Sequence, residues 1–416
     1  MNPQPWSLTT RIAFRFCCVY FVLFCLTNQI FGSLWPLPNV DIPDLASLWP
    51  ARPIVFWTAA HIFHVTQPLV YTGSGSGDKT FDWVLTFCML VIAALATAIW
   101  SVLDRRHASP PALYKWFRVF MRFALASQMF VYGLSKVVPL QMPFPYLTRL
   151  IQPYGTFSPM GVLWASIGAS PAYEIFVGSA ETLGGILLIF PRTAMLGALV
   201  SLADMIEVFA LNMTYDVPVK LFSFHLILMC LVLLAPDLSR LAAFFFRRAV
   251  EPSAEPQLFV TRRSNHIALA VQILFGLWLV AMNTYSGWTS WYKYGGARPK
   301  SALYGIWEVE QLSMEDRWRR AVFDFPTRVT FQRPDDSFAG YGAAIDVNKK
   351  TLALTKDTDK KWKASFTYER PAKDRLILDG EMDSHKIHMQ LHLQPSDKFP
   401  IANRGFHWVS EYPFNR

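Results

Sequence analysis

The sequence predicts a polytopic α-helical membrane protein followed by a small all-β antiparallel barrel or sandwich domain. Three observations carry that class. The 416 residues are 52% hydrophobic and only 17% charged, with 33 Phe and 15 Trp, too apolar a mixture for an ordinary water-soluble chain of this length. Before residue 287, apolar runs near the ~20 residues that cross a hydrocarbon core recur about seven times. Beyond that point the hydrophobic period drops to two, the period of strands.

Residues 12–31 form the first predicted helix. The apolar run after Arg15 reaches Gln29 without a small-residue cleavage site, so it reads as an anchor rather than a removed signal peptide. Residues 32–80, rich in Pro and Trp, read as an extramembrane loop. Within it, residues 54–70 carry His61 and His64 on a short interfacial helix, and residues 73–77 (GSGSG) punctuate the chain. Helix 2 is expected over residues 81–103 and is closed by Asp104, Arg105, Arg106 and His107, with Pro110 and Pro111 behind them. Helix 3 is expected over 116–137, with Arg118 and Arg122 near its start and Lys136 near its end.

The next 34 residues (138–171) are dense in Pro, Gly and aromatics and too broken to span. A loop of this length is usually functional, and it is expected to cap a polar pocket. Helices 4, 5 and 6, at 172–190, 193–211 and 217–234, are joined by connections so short that neighbours must be antiparallel. Residues 235–265 carry Arg240, Arg247, Arg248, Arg262 and Arg263, and helix 7 follows at 266–284. The excess of Arg in alternate loops places the N-terminus in the cytoplasm and the C-terminal domain outside a bacterial inner membrane. That distribution also accounts for the net charge of +9, which is therefore not read as nucleic-acid binding. Alternating runs such as YGIWEVE, RVTFQ, KTLALT and KIHMQLHLQ then read as seven or eight strands. The expected divisions are 1–115, a four-helix core at 116–235, a basic segment with helix 7 at 236–286, and the β domain at 287–416.

The five cysteines, Cys17, Cys18, Cys25, Cys88 and Cys230, all lie in apolar segments, so neither a disulfide framework nor a CxxC redox motif is available. The chemistry-bearing residues are ionisable groups within the predicted helices. Glu174, Gly178, Glu181 and Gly185 share one face of helix 4, and Asp204 and Glu207 are neighbours on helix 5. Helix 6 offers Lys220 and His225, while helix 3 offers Gln128, Tyr132 and Lys136 in one stripe. Ionisable groups cost a few kcal/mol at a bilayer centre and so face protein, pair with one another and mark sites. Measured along each helix at 1.5 Å per residue, Glu181, Glu207 and His225 lie about 14, 6 and 12 Å from the outer end, levels compatible with convergence. Structural ion pairs are the alternative, for Glu174, Asp216 and Lys220 above all. An iron or manganese site of Glu181, Asp204, Glu207 and His225 is chemically conceivable but has no diagnostic motif, so no metal is assigned.

Helices 3 to 6 resemble the DoxX family of small four-helix membrane proteins, in enlarged form. The resemblance rests on RFALASQMFVYGLSKVVP, with Tyr132, Gly133 and Lys136, on YEIFVGSAETLGGILLIFPRT, with Glu174, Glu181, Gly184, Gly185 and Arg192, and on the paired acids of helix 5. It covers about 120 residues. Founding members are subunits of a thiosulfate:quinone oxidoreductase, and the wider group includes the methylamine-utilisation membrane protein and the membrane part of vitamin K-dependent carboxylase. The resemblance implies quinone-linked redox chemistry. Glu181, Glu207, Asp204 and His225 would be catalytic, and Lys136, Tyr132, Lys220 and Glu174 would bind a quinone or small lipophilic ligand. No cofactor motif accompanies them. Gly305-x-Trp307 is similar to a lipocalin signature and favours an up-and-down barrel. The rival expectations are a scaffold whose β domain docks a periplasmic partner or lipid, and a proton-coupled transporter.

Overall fold

The computed structural model describes residues 6–40, 42–104, 112–249, 257–312, 318–359, 362–395 and 398–415. Arg105, Arg106, His107, Pro110 and Pro111, expected to close helix 2, lie outside these residues. Two compact units result. One comprises Met1–Gln141 with Ala172–Thr289, the other Met142–Pro171 with Ser290–Arg416.

The first unit is helical. It contains α1 (Leu8–Leu26), α2 (Ile30–Ser33), α3 (Ala51–His61), α4 (Thr80–Leu103) and α5 (Ala112–Val137). Its second stretch holds α8 (Pro171–Ile189), α9 (Ala194–Thr214), α10 (Lys220–Leu234), α11 (Leu238–Phe245) and most of α12 (Arg262–Lys293), while α6 (Leu147–Ile151) and α7 (Pro159–Gly168) belong to the second unit. Among the described residues six helices are long and apolar enough to cross a membrane, over Leu8–Leu26, Thr80–Leu103, Pro171–Ile189, Pro191–Thr214, Lys220–Phe245 and Arg262–Lys293. The seventh expected span, α5, differs in kind. It has the length but carries Lys115, Arg118, Arg122 and Lys136, and its residues 121–130 are buried without interruption. A helix enclosed by other helices has no lipid to satisfy, so it can carry polar groups that lipid-facing helices exclude.

Small residues set the helix spacing. A Cβ built on Gly178 would lie 2.5 Å from the Gly133 carbonyl oxygen, and one on Gly133 would lie 2.5 Å from Thr182 Oγ1, so α5 and α8 touch along their backbones. A Cβ on Gly184 would meet Ser201 Oγ at 2.6 Å, and one on Gly197 would meet the Leu188 nitrogen at 2.8 Å. These contacts hold α9 against the other side of α8.

The second unit is a closed antiparallel barrel of β1 (Gly305–Leu312), β2 (Arg320–Phe325), β3 (Arg328–Gln332), β4 (Phe338–Asp346), β5 (Thr351–Thr355), β6 (Lys363–Ala372), β7 (Arg375–Met382) and β8 (His385–Leu393). Each strand pairs with the next, and β1 closes on β8. The up-and-down order follows from short turns joining neighbours. Phe323, Phe331, Leu352, Leu354, Leu378 and Met389 fill the interior, and Trp307, wholly buried, donates from Nε1 to the Leu303 carbonyl at 2.8 Å. A filled apolar interior with a polar outer face is the reverse of a membrane barrel.

Residues 142–171 pack on the barrel. They hold α6 (Leu147–Ile151) and α7 (Pro159–Gly168). The Leu147 N–H donates to Asp324 Oδ2 at 3.0 Å, and the Arg298 guanidinium pairs with Asp324 Oδ1 at 2.5 Å while lying 4.8 Å over the Tyr146 ring. The loop carries an unsatisfied helix start and an aromatic ring; Asp324 of β2 accepts from the first, and Arg298, ahead of β1, lies over the second. A further loop element, α13 (Pro400–Asn403), follows the last strand.

Candidate functional site

Lys136 and Glu181 are buried against one another in the helical unit. Lys136 Nζ donates to both Glu181 carboxylate oxygens at 2.7 Å, and their side chains are 6% and 1% exposed. The pairing follows from the glycine contact. Gly178 sits against the Gly133–Val137 turn of α5, so Glu181, one turn on along α8, comes within reach of Lys136. Charge-assisted bonds of this kind are strong where water is excluded.

Antiparallel packing brings α9 to the same place. With Gly184 facing Ser201, three residues back along α8 and three forward along α9 are level, which sets Asp204 beside Glu181. Asp204 feels the charges of Glu181, Glu207 and Lys136. Its Oδ2 is buried without a hydrogen-bond partner among the described residues. Glu207 follows one turn later and is exposed on a surface it shares with Ile206, 52% exposed. Exposure therefore rises from Glu181 through Asp204 to Glu207. Glu174 is fully buried, two turns N-terminal to Glu181.

Tyr132 joins this cluster and two other expected members do not. The Lys136 ammonium lies 5.8 Å from the centroid of the Tyr132 ring. The Tyr132 hydroxyl accepts from Gln29 Nε2 at 2.8 Å, and Gln29 also donates to Gln128 Oε1 at 2.9 Å. His225, in contrast, faces α1. Its Nδ1 lies 2.7 Å from the Leu221 carbonyl, which can only accept, so Nδ1 carries the proton and Nε2 accepts from the Tyr20 hydroxyl at 2.6 Å. Phe24 stacks on the imidazole at 4.2 Å. Equal depth along two helices did not make His225 a neighbour of the acids, because it projects from a different face. Lys220 lies at the end of α10, 2.8 Å from Asp216 and 3.8 Å from Asp78. Asp78 also accepts the Lys220 and Leu221 N–H groups and so caps that helix.

Sequence reasoning treated Arg122 as a charge near a helix end, but it is buried and holds three elements together. It donates to the Leu188 and Ile189 carbonyls at 2.9 and 2.6 Å, the last carbonyls of α8, and to Gln272 Oε1 of α12 at 3.3 Å. A helix C-terminus leaves carbonyls unpaired and is electronegative, which suits a guanidinium. The signal available in the sequence was an Arg ten residues into a helix with no acid at i±3 or i±4. Arg15 similarly pairs with Asp104 at 2.9 Å. Among the described residues no three His, Cys, Asp or Glu side chains come together as a metal site would require. His61 is bound within its own helix, Nδ1 to the Trp57 carbonyl at 2.9 Å.

No family model matches the chain, and no solved structure matches it. A stretch of 146 residues, 35% of this chain, is 34% identical to 90% of the uncharacterized protein YwoB of Bacillus subtilis. The chain belongs to the family of that protein.

Proposed function

We propose that the protein exchanges protons with a lipid-soluble quinone through Glu181, Asp204 and Glu207. The observation that carries this reading is three carboxylates on two touching helices, of which Glu181 alone is paired with the Lys136 ammonium. Lys136 compensates Glu181, and Asp204 and Glu207 remain to bind a proton each. Glu207 opens sideways on an apolar helix surface, where a lipid-soluble partner arrives more readily than a hydrated one. Reduction of a quinone to its quinol consumes two electrons and two protons. Asp204 and Glu207 deliver the protons, and the electrons come from a redox partner protein. Tyr132 and Lys136 position the site, while His225 and Lys220 belong to the scaffold.

Difference infrared spectroscopy on the full-length protein in liposomes, with a short-chain benzoquinone added and reduced, tests the reading. A carboxyl band is expected to change, and to vanish in Asp204→Asn and Glu207→Gln. A second reading is favoured by the closed Lys136–Glu181 pair: the cluster only holds the bundle together. A spectrum without carboxyl change supports that one.

A further inference from the structure

We propose that the cleft bounded by α1, α2, α5 and α12 binds an anionic phospholipid. It is separate from the carboxylate cluster and encloses about 730 Å³, within the ~300–1,000 Å³ of small-molecule sites. All of its lining residues except Ser264 and Gln272 are apolar. Trp35 and Phe123 both meet Phe275 edge-on, with centroids 6.1 and 5.2 Å away. Gln272 is already engaged, its Oε1 by Arg122 and its Nε2 by the Ala268 carbonyl at 3.1 Å. The interior thus offers mainly hydrocarbon surface, as an acyl chain requires.

Positive charge gathers at one end. Ser264 lines the cleft immediately after Arg262 and Arg263, both exposed, and Trp116 lines it immediately after Lys115. Lys115 Nζ donates to the Gln257 carbonyl at 2.6 Å, beside the lining residue Leu258, which ties that ammonium to the mouth. Residues 112–127 and 257–272 contain no Asp or Glu, and the nearby Arg118 is directed to Asp237 at 3.8 Å. An apolar slot with cations at its mouth matches a lipid whose chain lies between helices and whose phosphate rests at the end. A neutral quinone makes no use of these charges.

Native mass spectrometry of the delipidated full-length protein, titrated with phosphatidylglycerol or phosphatidylcholine, decides the matter. Phosphatidylglycerol is expected to bind about tenfold or more tightly, the scale of two interfacial cations. Arg262→Gln with Arg263→Gln removes the preference, Arg262→Lys with Arg263→Lys keeps it, and Ala268→Trp, which fills the slot, abolishes binding of both lipids. Equal binding of the two lipids by the unaltered protein overturns the proposal. So does a preference that survives the Gln pair, or one lost equally in the Lys pair, since the arginines would then act on the fold alone.

Discussion

At the scale of single residues, the buried Lys136–Glu181 pair ties charge burial to stability. Removing one partner leaves an uncompensated charge in a dry interior, a loss of ~3–5 kcal/mol, whereas removing both leaves none. Lys136→Met is therefore expected to lower the thermal unfolding midpoint of the solubilised protein sharply, and adding Glu181→Leu to restore most of it. A double variant as unstable as Lys136→Met alone would mean that the two side chains do not interact. Lys136, Glu181, Asp204 and Glu207 were all legible as candidates, because ionisable residues stand out against apolar helices. Their partners were not. Nothing local in the sequence assigns His225 to Tyr20 rather than to Asp204, since which face of α10 meets which helix depends on the packing of the whole unit.

At the scale of elements, glycines decide which helices touch. The α5–α8 contact leaves no room at Gly178, where a built Cβ lies 2.6 Å from the Lys136 Cβ as well as 2.5 Å from the Gly133 oxygen. Gly178→Val forces the helices apart and breaks the reach of Lys136 to Glu181. The expected destabilisation is at least the ~1–3 kcal/mol of ordinary overpacking. Gly155→Ala, where nothing lies within 4 Å, leaves the unfolding midpoint unchanged and serves as the comparison. The recurrence of Gly178 and Gly185 on the face of Glu181 was visible as a pattern, and it identified a contact face correctly. That Arg122 closes the end of α8 was not visible, because the carbonyls it binds are 66 and 67 residues away.

At the scale of the whole molecule, a helical membrane part and a closed eight-stranded barrel divide the chain. Trp307 is the largest wholly buried side chain of the barrel, and Trp307→Ala is expected to cost ~3–5 kcal/mol. Hydrogen exchange over residues 305–393 reads this directly: strand amides should lose protection, and unchanged protection would show that the barrel closes without its tryptophan. The sequence by itself determined the class, the position of most helices and the strand region, but left barrel or sandwich open; the closed up-and-down order came with the structure. Hydrophobic period, run length and turn residues are properties of neighbours along the chain, so they survive without coordinates. Tertiary structure alone decided that α5 is an enclosed helix rather than a lipid-facing one, and that residues 142–171 pack on β2. It alone also separated His225 and Lys220 from Glu181, Asp204 and Glu207 and opened an apolar cleft beside α12. Each of these depends on which surfaces meet, and that is set by close packing between residues far apart in the chain.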